Sequence, residues 1–377
     1  GKENTFTRAR YFGEFTRYPS GGSTMLTYAG YLYYKGRSSN KVFNFSSGLR
    51  YSDITIDARF RPNDPIQWGL DGIKNNMRDL TGSVGLTINT PDHFQLHLLG
   101  ARAFRAPNLD DFAKVRPKNG FITVPNANLE PEKAWNSELT IAKEFGKIEN
   151  GKGSTFKLSA TGFYTYLTDA IVRIDSTLNG EPLLSTDDGP QTIQTNVNAS
   201  TGYVYGLSAN ALLNINDKWT LRSSLNFVKG RTQFTNAVID TLIPLAHIPP
   251  TYGRTSLSFQ AKKLRLELMT QYNAAKKVED YAITSITQSS DGSLRIRRLG
   301  SSDNLEYSPT YRDDNGEIHH AGVYGWFTTN FYSSIQLSSK FKLNLSVENI
   351  FDVHYRTFSS GVSAPGRNFI VGIYGSF

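Results

Sequence analysis

Apolar and polar residues alternate one for one in segment after segment of this chain. Phe341, Leu343, Leu345 and Val347 alternate with Lys342, Asn344, Ser346 and Glu348, and Leu264, Leu266 and Leu268 alternate with Arg265, Glu267 and Met269. Trp219, Leu221, Leu225 and Phe227 stand against Thr220, Arg222, Ser224 and Asn226, while Phe156, Leu158, Ala160 and Tyr164 stand against Lys157, Ser159 and Thr161. Phe43, Phe45, Leu49 and Tyr51 repeat the pattern against Asn44, Ser46 and Arg50. A period of two puts successive side chains on opposite faces of a strand, so each segment has one apolar face and one face that carries the charges. Thirteen strands are predicted, near residues 23–36, 41–52, 80–89, 93–104, 133–146, 154–168, 202–214, 218–230, 252–261, 263–275, 322–338, 340–351 and 367–377.

The connections fall into two classes that alternate. Short turns lie between residues 35 and 41, 89 and 93, 146 and 153, 214 and 218, 261 and 263, and 338 and 340. Long polar segments fill 53–79, 105–132, 169–201, 231–251, 276–321 and 352–366. Sandwiches place long and short loops at both ends without such order, whereas a bacterial outer-membrane barrel has tight turns on the periplasmic side and long loops outside. The fold expected is therefore all-β, a transmembrane antiparallel β-barrel.

Composition agrees. The chain has 23 Phe, 20 Tyr and 4 Trp, residues that gather where an apolar surface meets water. No run approaches eighteen apolar residues, which excludes a membrane-spanning helix and leaves a barrel open. The absence of cysteine removes disulfides and thiolate metal sites. A net charge of +8 raises nucleic acid as a partner, but no basic cluster accompanies a recognition motif, so none is expected. The six histidines, His93, His97, His247, His319, His320 and His354, are scattered, no hydrolase or metalloprotease motif occurs, and neither an enzyme nor a bound cofactor or metal is expected.

Parity adds an expectation about the whole protein. With the C-terminal end at the periplasmic side, thirteen alternating strands place residues 1–22 outside as an extracellular loop segment, although barrels of this kind have an even strand number. An open sheet would also leave unpaired edges in lipid, where each unmet backbone group costs several kcal/mol. Residues 23–377 are thus expected to form the C-terminal portion of a larger barrel, completed by another segment. The alternative is a fourteenth strand over Thr5 to Tyr18 closing a self-contained passive channel, with Glu14 and Arg17 making a poor lipid face.

Three stretches carry a resemblance. Ala103-Phe104-Arg105-Ala106-Pro107-Asn108-Leu109-Asp110 is followed by Asn126-Ala127-Asn128-Leu129-Glu130-Pro131-Glu132; Ile248-Pro249-Pro250-Thr251-Tyr252-Gly253-Arg254 comes later; and Val347-Glu348-Asn349-Ile350-Phe351-Asp352 leads through Tyr355 to Gly366-Arg367-Asn368-Phe369 and a terminal Phe377. In this order they resemble the C-terminal barrel half of TonB-dependent outer-membrane receptors. The resemblance implies twenty-two strands, of which this chain would supply the last thirteen, with the first nine and an N-terminal plug not present in this chain. It implies energised import of a scarce bulky nutrient, a ferric siderophore first, with cobalamin, haem or oligosaccharide behind. Its partners would be the missing strands and plug, the TonB complex, outer-membrane lipid and lipopolysaccharide, and a surface lipoprotein. A surface adhesion or docking barrel is the third reading.

Candidate ligand contacts sit in the long segments. Arg105 belongs to the first box; Arg295, Arg297 and Arg298 share a segment with Tyr307, Tyr311, His319 and His320, and guanidinium with phenol suits an anionic iron chelate. Solvation, or lipopolysaccharide phosphate, is the plainer role for the same arginines, and Asp313-Asp314-Asn315-Gly316 reads as a turn before a metal site. Haem importers of the family place a histidine between the two boxes, and residues 108–125 contain none, which lowers the haem reading. Phe369, Val371, Ile373 and Phe377 match the family's barrel-assembly signal, with Gly375 where a bulkier residue is common.

Overall fold

A computed structural model describes residues 2–5, 18–62, 71–118, 120–186, 189–235, 240–288, 294–298, 310–312, 318–320, 323–360 and 362–376. Thirteen long strands pair antiparallel, each with its neighbours in sequence order: Ser23–Arg37, Phe43–Arg59, Gly72–Asn89, Phe94–Arg105, Glu132–Glu149, Lys152–Asp175, Gly189–Ile215, Trp219–Thr235, Tyr252–Gln260, Leu264–Asn273, Trp326–Gln336, Phe341–Glu348 and Asn368–Gly375. We refer to them as the first to the thirteenth stave. No helix is long and apolar enough to cross a membrane, a finding that does not bear on crossing by strands.

The register settles which face is which. Leu98, Leu139, Gly162, Leu207 and Phe227 stand side by side across five staves, and Ile141, Ala160, Ala209 and Leu225 form the next row. This face is apolar, and its large side chains stay exposed, among them Leu139, Ile141, Leu207 and Leu225. Aromatic rings bound the band on both sides. The lower border holds Phe145 against Phe156 and Trp219 against Phe259; the upper holds Trp135 and the stack of Tyr164, Tyr203 and Tyr205 beside Phe227. From Phe145 to Trp135 a tilted strand at roughly 3.3 Å per residue rises about 25 Å, the height of an outer-membrane barrel's apolar band. The other face is wet: Thr140 bonds Thr161 at 2.9 Å, Ser208 donates to Asn226 at 2.9 Å, and Arg265 pairs with Glu267 at 3.2 Å.

Turns at the lower border are tight. The turn between the fifth and sixth staves uses Asn150 at φ 50° and Gly151 at φ 73°, the left-handed pair that matches strand twist in a two-residue hairpin. Asp92, in the turn before the fourth stave, accepts from Lys143, and that bond, with one from Thr90, holds its carboxyl down at about 2.

Above the upper border the strands run on into segments expected to be loops. The second and third staves extend to Arg59 and start at Gly72, and the sixth and seventh reach Asp175 and Gly189. In the second and third staves the cause is a reversal of phase. Below Tyr51 the apolar residues are odd-numbered and face lipid; above it Ile54, Ile56 and Ala58 are buried on the inner face, while Asp53, Asp57 and Arg59 turn outward to water. Arg78 pairs with Asp53 at 2.9 Å on that outer surface. Where lipid ends, the inside becomes the dry side.

The sheet is open. Among the described residues no pairing joins the first stave to the thirteenth. Lys2–Thr5 forms a short strand on the upper end of the first stave, opposite Ser23–Leu26. The fourteenth strand of the alternative reading, Thr5 to Tyr18, falls almost wholly on residues 6–17, outside the described residues.

Candidate functional site

The connection between the fourth and fifth staves, which holds the first two sequence boxes, folds back over the inner wall instead of standing free. Asn108 caps a single helical turn, Leu109–Phe112: its Oδ1 accepts from Asp111 N at 3.1 Å, and Asp111 Oδ2 accepts from Asn108 N at 2.9 Å. The turn delivers Phe112, fully buried, onto Ile54, Ile56, Ile73 and Met77, and Leu129 of the second box enters the same cluster. A second small core forms where Phe121–Val124 pairs parallel with Thr192–Thr195, joining Ile122, Val124 and Val115 to Ile193.

Polar bonds complete the docking. Asn126 Nδ2 donates to Asn196 O at 2.8 Å, Asn196 Nδ2 donates to Asp111 O at 2.9 Å, and Asn75 Nδ2 donates to Leu129 O at 3.0 Å. Asn198 accepts from Glu130 N at 2.7 Å and donates to Glu130 O and Asp169 O. Asn75, Asn196 and Asn198 escape sequence reasoning because polar amides recur along these strands and nothing local singles them out, and only the fold brings them to backbone groups of this connection.

Arg105 stands at the start of this connection. Its guanidinium pairs with Asp111 at 2.7 Å and with Glu132, whose other oxygen accepts from Ile171 N at 2.7 Å. Burial opposes the charge, but the two carboxylates outweigh it and raise its pKa. The fork thus ties the two boxes together, with 47% of the side chain still exposed. Arg105→Ala is expected to cost about 1 kcal/mol or less, as half-exposed pairs do, and to speed amide exchange at Phe112 and Ala113 while leaving stave amides unchanged.

The other candidates lie between the tenth and eleventh staves. Ile283–Gln288 and Leu294–Arg298 form a two-stranded ribbon in which Arg295 stands opposite Thr287 and Arg297 opposite Ser285. A second ribbon pairs Thr310–Arg312 with Ile318–His320, setting Tyr311 opposite His319 and Thr310 opposite His320. Tyr307 lies outside the described residues. On the thirteenth stave Phe369, Val371 and Ile373 face lipid at its open edge, and Phe377 lies outside the described residues. No group of three or more metal-binding side chains occurs among the described residues.

This geometry has a counterpart in sequence. The profile of the family described as TonB dependent receptor-like, beta-barrel, matches residues 3–350. The chain belongs to that family. It is thereby an outer-membrane β-barrel, and its relatives are receptors and transporters. Hemoglobin-haptoglobin utilization protein B of Neisseria meningitidis serogroup C is 26% identical over 261 residues, 64% of this chain and 31% of that protein. Among solved structures, a double mutant of the Serratia marcescens hemophore receptor HasR, in complex with its hemophore HasA and heme, superposes with a TM-score of 0.68 at 13% identity, covering 100% of this chain and 54% of that one. The siderophore receptor PiuA from Acinetobacter baumannii gives 0.62 at 15% identity, covering 94% and 43%. At these identities the structural likeness speaks for the fold. The chain spans less than a third of the curated relatives it matches.

Proposed function

We propose that the complete receptor imports iron carried as haem, taken from a haem-bearing protein at the cell surface and driven by the TonB complex through a plug and further strands supplied by another segment. The observation that carries this reading is the ribbon that sets Tyr311 opposite His319, with His320 next to it. Tyr and His are both axial ligands of haem iron, and the backbone register of this hairpin places one across from the other. Relatives named for hemoglobin-haptoglobin utilization support the same reading.

A ferric siderophore is the second reading. It draws on Arg295 and Arg297 in the neighbouring ribbon, since guanidinium groups pair well with anionic chelates. Iron-restricted Gram-negative cells lacking their own receptors and expressing the full-length protein separate the two. Growth on haemoglobin and not on a ferric catecholate is expected, and His319→Ala with Tyr311→Phe should lower haem affinity at least tenfold in a Soret titration. Growth on the catecholate alone would overturn the haem reading, and growth on neither source would favour adhesion or docking.

A further inference from the structure

Three of the long extracellular connections meet at one buried lysine. Lys276 follows the tenth stave and is 5% exposed. Its backbone bridges Val323, with Lys276 N donating to Val323 O at 3.1 Å and Val323 N donating to Lys276 O at 2.9 Å, which pinches the base of the excursion that carries both ribbons. Its ammonium donates to Ile248 O, in the connection between the eighth and ninth staves. The same ammonium lies 4.4 Å from the centre of the Phe358 ring, in the last connection, and 5.1 Å from that of Tyr281. The two rings pack on each other at 6.2 Å, and His247 reaches Ser359 at 3.3 Å beside them.

A lysine in such a place calls for an account. Burial disfavours the ammonium and lowers its pKa, Asp280 opposing the shift, and burial also pushes the Tyr281 hydroxyl up to about 12. An apolar side chain of the same length would fill the space without that penalty. What the ammonium adds is direction: one carbonyl and two ring faces converge on a single point, and each comes from a different position in the chain.

We infer that Lys276 is a positioning residue for ligand capture, whose ammonium ties the 245–251, 276–282 and 352–366 segments into one collar at the barrel mouth. The inference rests on reading these extracellular connections as the capturing surface. The collar gives the ribbon bearing Tyr311 and His319 a fixed base, so a ligand meeting that ribbon meets the other two connections in a set relation. Removing the charge is expected to free the connections from one another while leaving the barrel intact.

Spin labels on Ala246 and Val362, both exposed, read the collar directly in the full-length receptor. The wild type and Lys276→Arg should give one narrow distance distribution, and Lys276→Met a broad one, with heat-modifiable unfolding of the barrel the same in all three. Phe358→Leu, which keeps the lysine and removes a ring, should broaden the distribution as well. Human haemoglobin binding should fall about tenfold in Lys276→Met and recover in Lys276→Arg. A narrow distribution in both Lys276→Met and Phe358→Leu overturns the collar, whatever haemoglobin does. Broadening in a receptor whose wild type binds no haemoglobin overturns the haem reading and leaves the collar standing.

Discussion

Leu207→Arg is expected to cost about 2–4 kcal/mol of barrel stability, the price of an arginine at the centre of an outer-membrane barrel's lipid face. Leu207 stands between the aromatic borders, in register with Leu139 across Gly162, and is half exposed on the apolar side. Ser137→Arg, on the same face but level with Tyr164 at the upper border, is expected to cost about 0–1 kcal/mol, because its charge reaches the interface. Urea titrations of the full-length receptor in phospholipid bilayers, followed by heat-modifiable mobility, measure both. Equal costs would mean that the apolar band has been placed at the wrong height. A loss at Ser137 larger than at Leu207 would mean that Ser137, and not Leu207, lies nearer the bilayer midplane.

Phe112→Ala is expected to remove about 3–5 kcal/mol, as large-to-small changes at fully buried aromatics do. The loss is expected to be local. Phe112 holds the 105–132 connection against Ile54, Ile56, Ile73 and Met77, above the lipid band, while the staves below keep their pairing and lipid contacts. Limited proteolysis should therefore cut within 105–132 in the variant and spare it in the wild type, at unchanged heat-modifiable mobility. Loss of the folded barrel itself would show that this core belongs to the barrel's own cooperative unit. Because the two boxes share this connection with Arg105, a detached connection should also weaken ligand capture.

Much of this receptor's architecture can be read from its residues in order. A period of two with charges confined to one face can be satisfied only by strands with a dry side and a wet side, so all thirteen staves and the alternation of turns with long connections follow from local pattern. Segment 53–79 is harder to read, because its alternation continues with the opposite phase; the phase, read together with the period, locates the lipid boundary at Tyr51. In segment 169–201 the pairing carries register shifts between Asn198 and Gly202, which no local pattern marks.

The site was legible in part. The Phe-Arg-Ala-Pro and Asn-x-x-Leu-x-Pro-Glu stretches mark their connection, yet nothing local says that Arg105 reaches both Asp111 and Glu132, that Asn75 and Asn198 bind the backbone of the second box, or that Asn126 donates to the Asn196 carbonyl. Nothing local marks Lys276, one lysine beside another in a polar stretch.

Sequence by itself determined the strands, their two faces and the alternation of short turns with long connections, since these depend on residues close together in the chain. Only the tertiary structure decided that the 105–132 connection is packed inward and that Lys276 joins three connections. Contacts between residues tens of positions apart arise once the staves have set their connections side by side, and no periodicity in the chain encodes them.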